Sequence, residues 1–482
     1  MKSSMIPHFK ALLAGDIQPA GRLEVRAAFD QHVIAEVDSS DDQAVELALS
    51  AAYAVFRDRS AWLPVSERIA ILEKTAELMT AQQEHLAVEA AREGGKPLQD
   101  SRVEVVRAID SIRLCSEALR TRAEASIPTD IDTASAGKQC HFITEPIGVV
   151  VAVSAFNHPL NLIAHQVGPA VAAGCPVIVK PSQDTPLSCL RLVALLHEAG
   201  LPAVWCQGLV TDNREAAEQL VTDARVGFFS FIGSAKVGWM LRSKLAPGAR
   251  CALEHGGVAP VIVAEDADID KVIPKLLKGG FYHAGQVCVS VQRIYVHESL
   301  ARDLAERLAS AASALRIGDP TLEETEVGPL IRPAEVQRVA EWVDEAVASG
   351  AELLSGGKVL SDTTYACTVL YNPGAELRVS KEEIFGPVVC IYPYQSLDQA
   401  ISSANSLPWA FQAAVFTAAL STADRVVKGL DASTVMINEH TAFRVDWMPF
   451  AGLRQSGLGT GGIPYTFHDM QVRKLVVNNT GF

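Results

Sequence analysis

From about residue 40 to 122 the apolar positions recur at three- and four-residue intervals, the mark of amphipathic helices. The segment "SDDQAVELALSAAYAVF" opens with a capping box, Ser40 with Gln43, and places acids in its first turn. "SERIAILEKTAELMTAQQEHLAVEAAREGGKP" continues the helical spacing and ends on Gly94, Gly95 and Pro97, a stop signal. "SIPTDIDTASAGK" (126–138) is polar and turn-rich and reads as a loop or an exposed arm.

The pattern then changes. "IGVVVAVSAF" (147–156), "PVIVKPS" (176–182), "VWCQGLV" (204–210), "VGFFSFIGS" (226–234) and "APVIVAED" (259–266) are short apolar runs rich in Val and Ile. Helical stretches such as "QVGPAVAAG" and "LSCLRLVALLHEAG" separate most of them. Strands buried on both faces and alternating with helices predict βαβ units and a parallel, doubly wound sheet. Such sheets bind ligands beyond the carboxyl ends of their strands. A second α/β series follows from "QRIYVHESLARDLAERLASAASAL" through "VVCIYPY", "AAVFT" and "STVMIN".

At 482 residues, 49% hydrophobic and 20% charged, the chain has an ordinary globular composition and length for two or three domains. A formal charge of −14 disfavours nucleic acid or an anionic membrane surface as a partner. Nine scattered cysteines, an odd number without C-x-x-C spacing, argue against a disulfide framework or a metal site and fit a reducing compartment. The opening "MKSSMIPHFKALLAG" lacks the apolar core of a signal peptide, and no apolar run approaches a membrane span, so a cytoplasmic protein is expected.

Candidate chemistry lies at strand ends. "GLGTGG" (457–462) matches G-x-G-x-x-G formally, but follows no clear strand and has too little chain after it for a βαβ unit; a turn or linker is expected. "FFSFIGSAKVGWMLRSKLA" is the better phosphate site, because a buried strand ends at Gly233 and Ser234 and a helix begins there; a plain turn capped by Ser234 is the other reading. Cys288 follows Gly285 and Gln286, Glu254 precedes a Gly-Gly turn in "ALEHGGVAP", and Asn157 stands in "SAFNHP". A thiol nucleophile needs a base, and its tetrahedral adduct needs an oxyanion donor. Taken singly, the three also fit a core thiol, a solvated carboxylate and a turn residue.

Together these segments resemble the aldehyde dehydrogenase superfamily over about residues 20 to 475. "FNHP", "PAVAAGCPVIVKPS", "SFIGSAKVG", "LEHGG", "GQVCVSVQR", "EEIFGPV", "NSLPWAFQAAVFT" and "MPFAGLRQSGLGTGG" follow in the family order. The resemblance implies an α/β aldehyde dehydrogenase fold: a Rossmann-like cofactor domain (1–123 and 146–256), a catalytic domain (257–450) and a β oligomerisation arm (124–145 and 463–482). It implies Cys288 as nucleophile, Asn157 as oxyanion donor and Glu254 as the base that hydrolyses a thioester. It places Lys180, Ser182, Gln183, Gly233, Ser234, Glu383 and Phe385 around NAD or NADP, and implies no metal. A homodimer or homotetramer is the family expectation, with the strand "VRKLVVNN" (472–479) in the arm.

Departures from the family pattern bear on specificity. Gln183 stands where NAD-preferring members often carry Glu, which admits NADP, while Asp184 keeps a negative charge close by; NAD is slightly favoured. "LEHGG" and "PFAG" replace the commoner "LELGG" and "PFGG". His158, Arg107 and Arg444 are candidate contacts for a small polar or anionic aldehyde, similar to the lactaldehyde, phosphonoacetaldehyde and succinate-semialdehyde branches. Arg107 and Arg444 also fit a structural role bridging carboxylates. A catalytically retired member, or an acylating or thioesterase use of the same cysteine, are the alternative functions.

Overall fold

The computed structural model describes residues 6–122, 126–129 and 131–480. Residues 1–5, 123–125, 130 and 481–482, which the expected domain and arm boundaries take in, lie outside the described residues.

The first sheet has five parallel strands, Val149–Val153, Val177–Lys180, Cys206–Gly208, Val226–Ile232 and Arg250–Glu254, and a short antiparallel edge, Gly457–Leu458. The strand Val149–Val153 lies between Val177–Lys180 and Val226–Ile232, so the order of connection reverses beside it. That reversal opens a crevice at the strands' carboxyl ends, where doubly wound sheets bind ligands. One face is covered by Val65–Ala81, Leu98–Arg120, Asn161–Ala173 and Leu187–Glu198, with Ile112, Leu160, Val167 and Leu192 fully or almost fully buried between helices and sheet. Asp42–Arg57 and Arg214–Thr222 cover the other, through Leu49, Leu220 and Phe229.

A second sheet has six parallel strands, Thr368–Tyr371, Val388–Tyr394, Arg293–His297, Pro260–Val263, Gln412–Phe416 and Thr434–Ile437, and an antiparallel edge, Glu352–Ser355. The apolar run around Pro260–Val263, grouped by pattern with the first series, pairs instead with Arg293–His297 and Gln412–Phe416. Period-two and run-length patterns identify a buried strand but carry no information about which sheet receives it.

The polar stretch after 126 leads into an arm. Lys138–Pro146 pairs antiparallel with Gln471–Asn479 along its whole length, from Gln471 opposite Pro146 to Asn479 opposite Lys138. Ser126–Ile127 adds a short third strand. Leu475 and Val477 on the final strand are 47% and 53% exposed.

Local details differ from the sequence reading in two places. The first long helix is Asp42–Arg57, and its cap is Asp41, whose carboxylate accepts from the N–H groups of Gln43 and Ala44. Ser40 stands one residue too early to reach them; its backbone N–H donates to Val210. The next helical run breaks at Gln82 into Val65–Ala81 and Gln83–Gly94, and Gly95 ends it in a left-handed conformation that glycine adopts at little cost.

Candidate active site

Four helices begin just past the carboxyl ends of first-sheet strands, and three of their N-termini are already filled; Asn213 caps Arg214–Thr222 by accepting from the N–H groups of Glu215 and Ala216. Glu104 accepts from the N–H groups of Leu160 and Asn161 at 2.9 and 3.0 Å, at the start of Asn161–Ala173. Glu93 accepts from Leu187 and Ser188 at 2.8 and 2.9 Å, at the start of Leu187–Glu198. A buried carboxylate there satisfies the orphan N–H groups and answers the helix dipole, leaving no room for a phosphate. The remaining helix, Ala235–Arg242, has Ser234 at its N-cap with no side-chain hydrogen bond. The Ser234-capped turn is thus not what forms; this N-terminus stays open, beside Gly233.

Glu254 ends the neighbouring strand, and the two are tied together. The Gly233 N–H donates to the Glu254 carbonyl at 3.1 Å. His255 Nδ1 lies 2.9 Å from the Gly233 carbonyl, to which it donates. "GLGTGG" has a defined task here: Gly457–Leu458 adds an antiparallel strand beside Leu253 and Glu254. Gly461 lies so close to the Glu254 carboxyl that any side chain there would collide with it. Burial pushes the Glu254 carboxyl up to about 7, against a smaller pull downward from the Arg444 guanidinium.

Cys288 sits after a strained turn. The helix Ile269–Phe281 ends, and His283, Ala284 and Gly285 follow with φ of 49°, 53° and 71°. Two consecutive non-glycine residues in that region are costly and persist only where surroundings hold them. Gly285 is required, because a side chain would run into the Gly386 carbonyl. Gln286 holds the loop from both sides: its Nε2 donates to Pro329 O at 3.1 Å, and its Oε1 accepts from Ile331 N at 2.9 Å. Its own carbonyl accepts from Asn157 Nδ2 at 2.9 Å. That bond fixes the Asn157 amide over the Cys288 loop and leaves its second N–H to donate elsewhere. Burial raises the Cys288 thiol well above its ordinary value, Glu383 and Glu254 add to this, and Arg444 opposes it.

One cavity of about 860 Å³ gathers these groups. Cys288, Glu254 and Asn157 line it, with Gly233 and Ser234 at the helix N-terminus. Lys180, Ser182, Gln183, Glu383 and Phe385 line it too, as do Arg107, His158 and Arg444. The strand ends bring the first group together; the cavity's other wall comes from the second sheet's loops. Among the described residues the Lys180 ammonium donates to the Pro181 carbonyl alone, at 3.2 Å, and desolvation lowers its pKa. Gln183 donates to Thr211 O at 2.7 Å. Glu383 accepts from Gly257 N at 3.3 Å, and burial lifts its carboxyl to about 8. Phe385 meets Phe156 edge to face at 5.7 Å.

The three other polar residues, Arg107, His158 and Arg444, differ in what they have free. Arg107 donates to both oxygens of Asp446, at 3.1 and 2.7 Å, so its charge is answered. Asp446, absent from the sequence reading, also takes bonds from His165 and Asn161. Its signal was available in "TAFRVDWMPFAG", an acid two residues from Arg444, but its partner lies 339 positions away. His158 approaches Tyr282 Oη at 3.4 Å; burial holds its imidazole well below the usual value, hence neutral. Arg444 makes no ion pair among the described residues; its Nη1 is buried without a hydrogen-bond partner, and its guanidinium stacks 3.8 Å from the Phe450 ring centroid.

Known proteins resemble this chain along nearly its whole length. The model of the aldehyde dehydrogenase family matches residues 17–476. The 3-sulfolactaldehyde dehydrogenase of Priestia aryabhattai is 36% identical over 460 residues, covering 95% of each chain. The crystal structure of aldehyde dehydrogenase 21 from Physcomitrella patens, in complex with the product succinate, superposes with a TM-score of 0.93 at 35% identity, covering 98% of this chain and 99% of that one. Glyceraldehyde-3-phosphate dehydrogenase GapN from Methanocaldococcus jannaschii, complexed with NADP, gives 0.91 at 32% identity over 95% and 99%.

Proposed function

Because the chain belongs to the aldehyde dehydrogenase family, we propose that it oxidises a small anionic aldehyde to its carboxylic acid through a thioester on Cys288. The observation that carries this reading is the convergence of Cys288, Asn157, Glu254 and an uncapped helix N-terminus on one cavity.

The residues present fit a nicotinamide dinucleotide. The uncapped N-terminus of Ala235–Arg242, beside Gly233 and Ser234, would offer backbone N–H groups to a pyrophosphate, and Lys180 and Gln183 would border the adenosine ribose. Glu383 would accept from the other ribose. When bound, the cofactor supplies the hydride acceptor. Cys288 loses its proton and attacks the aldehyde carbon; its high resting value means a nearby carboxylate must take that proton. The free Asn157 N–H and the Cys288 backbone N–H hold the oxyanion. After oxidation Glu254, ionised above about pH 7, takes a proton from water, which attacks the thioester and frees the thiol. Retention of Glu254 favours hydrolysis over transfer to another thiol.

The anionic substrate class follows from Arg444. A buried guanidinium with an unpartnered nitrogen in a cavity pays desolvation and gains little, unless a ligand answers it. Arg107 then acts through Asp446 as a support, and neutral His158 offers a hydrogen bond to a substrate hydroxyl. The strands 149–254 would form the cofactor half, the strands 260–437 the catalytic half, and the arm, with Leu475 and Val477 exposed, would bury its apolar face against another copy in a dimer or tetramer. No helix among the described residues is long and apolar enough to cross a membrane.

The test is reduction of NAD or NADP with a panel running from acetaldehyde and benzaldehyde to lactaldehyde, succinic semialdehyde, 3-sulfolactaldehyde and phosphonoacetaldehyde. Highest kcat/KM for the anionic members supports the reading. Preference for the apolar members returns Arg444 to a structural role. No reduction with any aldehyde supports a retired member of the fold.

A further inference from the structure

A charged pair spans the mouth of the cofactor cavity. Asp184 follows the first-sheet strand Val177–Lys180, whereas Arg332 caps the helix Pro333–Ala348, which is packed into the core of the second sheet. Arg332 Nη2 donates to Asp184 Oδ2 at 3.1 Å. Both residues line the main cavity, and with Gln183 and Arg26 they also line an adjoining hollow of about 230 Å³. The pair is solvent-accessible, 48% and 28% by side chain, so its net attraction is weak and its partners exchange readily.

The other charges around this hollow are already engaged. Arg26 is held by Glu24 and by the Gln31 carbonyl. Glu335 takes Arg338 at 2.8 Å and lies 4.0 Å from Arg332. Gln183 brings no charge, and its amide is spent on Thr211 O. Of the two cations lining this hollow, Arg332 is the one held by a single side-chain hydrogen bond.

We propose that Arg332 decides cofactor choice: its guanidinium leaves Asp184 for the 2′-phosphate of NADP and remains on Asp184 when NAD binds. A phosphate dianion offers more charge and more acceptor oxygens than one exposed carboxylate, so the exchange favours NADP. With NAD the pair keeps Asp184 neutralised, so the unmodified ribose meets no penalty. The inference rests on the reading that this cavity holds NAD(P).

The experiment is calorimetric titration of the full-length protein with NADP and, separately, NAD. Wild type is compared with Arg332→Gln, Arg332→Lys and Asp184→Asn. Arg332→Gln is expected to weaken NADP by roughly ten- to a hundredfold, the worth of a charged hydrogen bond. NAD should shift by no more than about twofold. Arg332→Lys should keep part of the NADP affinity, and Asp184→Asn should tighten NADP by freeing the guanidinium. Equal loss for both cofactors, or none for NADP, overturns the assignment. Failure of wild type to bind either cofactor refutes the cofactor reading itself.

Discussion

Replacing Glu254 with glutamine should make the protein more stable at pH 8 while halting its chemistry. Burial raises the Glu254 carboxyl from the usual 4.5 to about 7 in the folded chain. The folded value lies above the unfolded one, so the native state binds the proton more tightly. Its stability is whole below pH 4.5, falls as pH rises toward 7, and levels off beyond. Linkage between those two values gives at most about 3 kcal/mol lost at pH 8 and below about 1 kcal/mol at pH 5. Glutamine has the same shape and no charge to desolvate, so the variant recovers that loss only where the carboxylate would ionise. Chemical denaturation of wild type and Glu254→Gln at pH 5 and pH 8 measures the difference directly. The expected result is a higher midpoint for the variant at pH 8 and near-equal midpoints at pH 5. The same variant, mixed with aldehyde and cofactor, should release a burst of reduced nicotinamide and then stall, because the thioester forms and is not hydrolysed. A variant destabilised at pH 8, or stabilised equally at both pH values, would refute the claim that a desolvated carboxylate sits there.

Four further outcomes are expected. Wild-type deacylation should fall about tenfold per pH unit well below the Glu254 value of about 7, read as the acid limb of kcat in single-turnover and steady-state measurements. Cys288→Ala should abolish turnover while calorimetry shows cofactor affinity nearly unchanged, since the thiol is the covalent partner; retained turnover removes Cys288 as nucleophile. Arg444→Met should raise KM for anionic aldehydes by roughly ten- to a hundredfold and leave acetaldehyde little changed. It should also move the acid limb to higher pH, because the guanidinium favours the ionised Glu254; unchanged selectivity would mean the anion binds elsewhere. Asp446→Ala should destabilise the fold by about 3–5 kcal/mol in denaturant titration, because it strips Arg107 of the carboxylate that answers its charge.

Much of the site was legible before any coordinates because its chemistry is carried by short local segments. The Cys288 loop, the Glu254 strand end and the Gly233–Ser234 turn each announce themselves within about ten residues, through a glycine, a strand end or a helix start. Arg107 and Arg444 were both legible as cations near the substrate end, but their roles could not be told apart in sequence. Asp446 lies two residues from Arg444 in the chain yet gives its oxygens to Arg107. The glycine run at 457–462 read as a connector, because steric room for a carboxylate 207 positions away has no local signature.

The alternation of buried apolar runs with amphipathic helices was enough to determine a parallel α/β architecture, since periodicity reports which faces leave water. The candidate nucleophile and base came from the resemblance of short segments to a known family, not from this alternation. The run pattern left open which strand joins which sheet, and pairing in the fold sends Pro260–Val263 to the second one. Tertiary structure also decided which helix could receive a phosphate. Glu93 and Glu104, from the helices Gln83–Gly94 and Leu98–Arg120, fill two N-termini and leave Ala235–Arg242 open. The reason is physical. Local spacing fixes backbone conformation and the sidedness of each element, whereas the partner of a buried polar group is set by whichever distant segment the fold brings within hydrogen-bond reach.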